Sequence, residues 1–218
     1  MRCVVVVVVA LSLFACSAPP PPQSSAATGR GVIAFDAEVP TGAKTWPRPE
    51  WNVGDAFTMV RGEHVRGTFR VLEVTPEHYA IDTGAGPVLR RTRDLGNLGQ
   101  WSAANAPEHL LAPVDARYHW PLWVGKRWSC EFVDRGPGAP PVPLRADYVV
   151  EDLDTITVPA GTFEALRIVR TLRLVGAEAR YLPQTKMTWY APAVGIEIRQ
   201  LDGDSLVELV EAKTASPR

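Results

Sequence analysis

The sequence predicts a mainly β fold: an antiparallel curved sheet, closed as a half-barrel or a sandwich. Apolar residues recur with period two in short runs, about ten residues apart. Turn formers punctuate those runs, with 17 glycines and 20 prolines in 218 residues. No stretch carries a 3.6-residue apolar stripe across three turns, so helices are not expected.

Taken in order, Val32-Phe35 reads as a short edge strand amid the irregular, proline-bearing residues 31 to 50. Phe57-Val60, Thr68-Val74, Tyr79-Ile81 and Val88-Leu89 follow, with turns at Gly62, Pro76-Glu77 and Gly84-Pro87. Residues 94 to 118 hold Gly96, Gly99, Pro107 and Pro113, and read as a long connection with one helical turn near Pro107-Leu111. Strands resume at Trp123-Phe132 and continue at Leu144-Val150, Thr155-Val158 and Ala165-Leu174. Met187-Tyr190, Gly195-Arg199 and Leu206-Val210 complete the set, and Lys213-Arg218 reads as a frayed tail. Residues 31–212 thus form one mainly β domain, behind a Pro/Ser/Ala tether over 16–30.

That domain contains two weakly similar halves. Trp51-Asn52-Val53-Gly54-Asp55-Ala56-Phe57 matches Leu122-Trp123-Val124-Gly125-Lys126-Arg127-Trp128 around a Val-Gly pair. Each precedes a second strand bearing an aromatic and a valine, Phe69/Val71 and Tyr148/Val150. A turn at the glycine would feed an inward aromatic in both.

Forty-six per cent of residues are hydrophobic, enough for a real core. The net charge of −1 sets up no strong field toward nucleic acid, and none is expected as a partner. At the start, Arg2 precedes an apolar run from Val4 to Ala15, too short for a stable membrane-spanning helix. Leu13-Phe14-Ala15-Cys16 resembles the lipobox of bacterial lipoproteins. The resemblance implies a signal peptide over 1–15, cleavage before Cys16 and acylation of that thiol. Acyl chains would hold the protein to a membrane, since each buried CH₂ adds about 0.8 kcal/mol. Ser17, not Asp, resembles an outer-membrane sorting signal, which implies the periplasmic face of that membrane. Of three cysteines, Cys130 is then left without a disulfide partner. Alternation places it with Trp128 and Phe132 on one apolar face, as a buried thiol.

No residue set rises to a catalytic or metal site, and no cofactor is expected. Gly203-Asp204-Ser205-Leu206 spells a lipase/esterase motif, but no histidine follows it, and the segment reads as a hairpin turn. His64, His78, His109 and His119 lack ligand spacing. Asp152 and Asp154 flank Leu153 at an expected turn. Arg90, Arg91, Arg93, Arg167 and Arg173 read as solvated sheet residues. Arg170 has the same default but shares the face of Leu166, Ile168, Leu172 and Leu174, and were it inward it would need a partner or an anionic ligand. The seven tryptophans read mainly as core, with an apolar or carbohydrate ligand lining as the alternative.

Three segments, Pro121-Trp128, Thr157-Ile168 and Thr188-Ile196, together resemble a diffuse set of uncharacterised bacterial envelope β proteins, including the DUF3108-like group. The resemblance implies a curved antiparallel sheet and transfers no active-site residue. The expected function is a non-enzymatic cell-envelope lipoprotein binding an apolar ligand or an envelope partner. A structural module without a ligand is the alternative, with a hydrolase at Ser205 behind both.

Overall fold

A computed structural model describes residues 32–34, 38–62, 65–176 and 180–215. The signal segment, Cys16, the tether, Glu63-His64 and the last three residues lie outside the described residues. Thirteen strands are described: β1 Val32–Ala34, β2 Ala56–Arg61, β3 Val65–Val74, β4 His78–Asp82, β5 Val88–Thr92, β6 Asn97–Trp101 and β7 Pro107–Asp115. They continue as β8 Arg127–Arg135, β9 Val142–Val158, β10 Gly161–Leu174, β11 Gln184–Ala191, β12 Ile196–Asp202 and β13 Ser205–Lys213.

Strands β2 to β13 pair antiparallel with their chain neighbours, and β13 pairs back onto β2. The result is a closed twelve-stranded up-and-down barrel. The predicted curved antiparallel sheet is present, with its curvature carried through to full closure. Closure gives each of the twelve strands a neighbour on both sides, which removes the long open edges of a flat sheet. β1 lies outside the ring and pairs with Val32, Ile33 and Ala34 against Cys130, Ser129 and Trp128 of β8. There it occupies the edge that β7 leaves, since β7 meets β8 only from Val133 to Arg135.

Two expectations are corrected. Residues 94 to 118 hold no helical turn; they form β6 and β7. Their prolines and glycines serve register breaks at Asn97/Gly99 and Gln100/Trp101, which disguise the alternation. The expected turn at Asp152-Asp154 is also absent. β9 runs unbroken for 17 residues, with one extra residue, Glu151, where the pairing skips between Val150 and Asp152. Acids on the outer face of a long strand imitate a turn in one dimension. The tail is held at least to Ala215, whose N–H donates to Asp55 at 2.7 Å.

Both Val-Gly turns are built alike. Gly54 and Gly125 have φ of +92° and +95°, a region that suits glycine. The Gly54 N–H donates to Val71 O and Gly125 N–H to Val150 O. Val71 N–H returns to Asp55 O, as Val150 N–H returns to Lys126 O. Phe57 and Trp128 then enter the interior at equivalent places, both fully buried. Trp128 stacks on Tyr148 at 5.0 Å, and Trp51 packs against Phe57 and Tyr79 at 5.6 and 5.3 Å. Cys130 and Phe132 are buried beside Trp128, as the alternation of β8 requires.

Candidate functional site, a charged cavity in the barrel

The interior is not wholly apolar. A cavity of about 170 Å³ is lined by side chains from β6, β9, β10, β11 and the end of β7. Register explains the lining. Arg170 of β10 stands opposite Tyr148 of β9 on one side and Lys186 of β11 on the other. One inward step along, Ile168 pairs with Thr188. Asn97 and Asp115 pair across β6 and β7, and the chain then delivers Arg117 and Tyr118. That segment is pinned from both sides: Trp128 Nε1 donates to Ala116 O at 2.8 Å, and Ala116 N–H donates to Cys130 Sγ at 3.3 Å.

One ion cluster lines the cavity, and a second adjoins it through Arg117. In the first, Asp115 accepts the Tyr148 hydroxyl at 2.5 Å and Arg170 Nη2 at 3.0 Å. Arg170 Nε donates to the Tyr148 oxygen at 3.1 Å, closing a triangle. In the second, Glu197 of β12 is gripped by Arg117 at 3.1 Å and Arg91 at 3.7 Å. Burial pushes the Glu197 carboxyl up, but Arg117 and then Arg91 overcome it and hold the group at about 2. The Lys186 ammonium makes no hydrogen bond or ion pair among the described residues, although its backbone is paired between β10 and β12. Burial, then Arg117, pushes its ammonium down to about 8, against pulls from Glu197 and Asp202. Four cations therefore surround two buried carboxylates, with Asp202 exposed at the end of β12.

Arg170 departs from the solvated default: it points inward, and Asp115 is the partner that an inward arginine needs. Arg91 does not follow its expectation: it is buried against Glu197, not solvated. Asp115, Arg117, Lys186 and Glu197 went unmarked in the sequence. The signal for Glu197 is hidden by a register break. Tyr190 pairs with Glu197 and Trp189 with Arg199, so Ile198 is the extra residue and strict alternation fails there. Arg167 and Arg173 do lie among outer-face acids, Arg167 bridging Asp152 and Asp154 at 3.5 and 3.2 Å and Arg173 pairing with Asp147.

The remaining candidates stand apart. Ser205 opens β13 opposite Asp202 across a two-residue hairpin, with Gly203 at φ +55°. No histidine hydrogen-bonds to it among the described residues. His78 contacts Thr75 at 3.1 Å, and His109 Nε2 meets Asp134 at 2.6 Å. No cluster of three or more metal-ligating side chains occurs among the described residues. Burial pushes the Cys130 thiol up to about 12, so it stays protonated. Trp123 and Trp128 are core, and Trp120 stacks on Tyr118 at 5.1 Å. Trp189 faces away from the cavity and donates its indole N–H to Asp154.

The fold has relatives among solved structures. The chain superposes on the hypothetical lipoprotein YmcC from Escherichia coli (K12) with a TM-score of 0.50 and 10% identity, covering 78% of this chain and 91% of that one. Weaker likenesses, with TM-scores of 0.41 and 0.42, link it to an exported protein with YmcC-like fold from Bacteroides fragilis and a lipoprotein from Parabacteroides distasonis. Their identities are 15% and 12%; each match covers 78% of this chain, with 100% and 99% of the respective partners. No family model and no curated protein matches the sequence.

Proposed function

We propose that this chain is a non-enzymatic lipoprotein of the cell envelope, acylated at Cys16, whose barrel binds a ligand in its lumen. The observation that carries the binding role is the charged cavity beside Arg170 and Lys186. Anchoring is supported by Leu13-Phe14-Ala15-Cys16 and by the fold shared with a structure described as a lipoprotein. Ser17 favours the outer membrane, facing the periplasm. The cavity favours a polar ligand over an apolar one. The space beside Phe57 and Met59, which Arg91, Glu197 and Gln200 also line, amounts to about 30 Å³, about the share of one water molecule.

An envelope partner is favoured by one further feature: Tyr181 and Leu182, between β10 and β11, are 60% and 93% exposed. Photocrosslinking from position 182 would capture such a partner in intact cells.

The anchoring is tested by palmitate labelling of the wild type and Cys16→Ala. Label enters the wild type alone if the reading holds; an unlabelled wild type ends it. Native mass spectrometry of the membrane-extracted protein tests the binding role, which requires a retained ligand or a saturable one supplied in solution.

A further inference from the structure

We propose that the barrel cavity is a site for a small multivalent oxyanion, a phosphate or a dicarboxylate, held between Arg117, Arg170 and Lys186. The proposal rests on the lumen-binding reading and names its ligand class. Size comes first. A volume of about 170 Å³ equals the share of about five or six waters, enough for a phosphate or a four-carbon diacid. Arg117, Arg170 and Lys186 are half-buried, so the cavity has a route to solvent.

The donors left over point the same way. Arg170 spends Nε and Nη2 on Tyr148 and Asp115, which leaves Nη1 without a hydrogen-bond partner among the described residues. Arg117 spends Nη2 on Glu197. Asn97 accepts the Gly99 N–H at 3.1 Å through Oδ1, so its amide N–H₂ remains a donor. Thr188 adds a hydroxyl to the wall. Every acceptor-rich group in the cluster is already engaged by a cation, whereas cationic donors are in surplus. Fork-shaped guanidinium donors and a point-charge ammonium are the groups that recognise oxyanions.

The two clusters explain packing without Lys186. Asp115 neutralises Arg170, and Glu197 answers Arg117 and Arg91. Lys186 then adds a charge where guanidinium groups already stand, which burial makes unfavourable. A purely structural role would be served better by a neutral side chain. An anion offsets that cost and restores the ammonium. The groups that act on Lys186 are Arg117 from the segment after β7, Arg170 of β10, and Glu197 and Asp202 of β12.

The test is calorimetric titration of the folded barrel with inorganic phosphate and with succinate, at matched ionic strength in chloride. Wild type, Lys186→Gln and the surface control Lys44→Gln are compared. One anion should bind the wild type and the control alike, and Lys186→Gln should bind about tenfold more weakly, the loss of one charge-assisted contact. Near pH 8 the wild type should take up protons on binding, read from buffers of different ionisation heat, whereas Lys186→Gln should not. Lys186→Gln should also melt at higher temperature without ligand, which separates lost binding from misfolding. Phosphatidylglycerol vesicles that compete with phosphate would assign the oxyanion to a lipid headgroup; vesicles that do not would assign it to a free solute. Binding unchanged in Lys186→Gln, with no proton uptake, would overturn the site. Silence toward both anions with an apolar molecule retained by the extracted protein would overturn the ligand class yet leave a binding barrel. Silence with nothing retained would overturn both readings.

Discussion

At the residue scale, the interior is governed by where charge is placed and what answers it. Glu197 is only 2% exposed and holds two guanidinium groups. Its folded value of about 2 lies below the ordinary 4.5, so the stability it contributes is complete above about 4.5 and is lost as pH falls toward 2. Glu197→Gln should therefore cost about 3 kcal/mol near neutrality, because Arg91 and Arg117 lose their counter-charge. That difference should shrink between about pH 4.5 and 2, where the wild-type carboxyl also takes its proton. Urea melts at pH 7 and pH 3 measure it; a difference that stays constant with pH would refute the assignment. Arg170 was legible because it breaks an apolar face. Lys186 and Arg117 were not, since a lysine or arginine near a strand end ordinarily reaches water.

Among elements, register breaks decide which side chains enter the lumen. The pairing skips Leu72 in β3, Glu151 in β9, Ile198 in β12 and Val210 in β13. Each skip reverses the inside-outside order beyond it, which a reading by period two cannot foresee. The same applies to β6 and β7, where the sequence suggests a loop. Gly99 is the key to that pair: its φ is +120°, and a Cβ there would lie 2.0 Å from His109 O. Gly125, with φ +95°, has open space around it. Gly99→Ala should destabilise by more than 2 kcal/mol, against about 1 kcal/mol for Gly125→Ala, where backbone strain alone is added. Chemical denaturation of the two variants makes the comparison, and equal losses would contradict the close approach.

For the whole molecule, closure is the governing fact. β13 seals the ring by pairing with both β12 and β2, whereas β1 lies outside it. A chain ending at residue 204 should lose cooperative unfolding, because two barrel edges and the inner face open together. A chain beginning at residue 39 should keep a single transition, since the one described strand it loses, β1, is three residues long and lies outside the ring. Thermal scans by near-ultraviolet circular dichroism would settle the contrast. The lumen site depends on closure as well, since β6 and β7 bring Asn97 and Asp115 to face Arg170 and Lys186 only in the ring.

The order of the chain alone determined the all-β class, most strand positions, the twin Val-Gly turns, the burial of Cys130 and the apolar face that Arg170 shares. Those properties follow from neighbours two residues apart, or from turn residues whose backbone freedom is their own. Full closure, the position of β6 and β7, and the meeting of Asp115, Arg117, Lys186 and Glu197 were decided by the tertiary structure. They depend on pairing across long separations and on single-residue skips, and neither leaves a local trace in the pattern of polar and apolar residues.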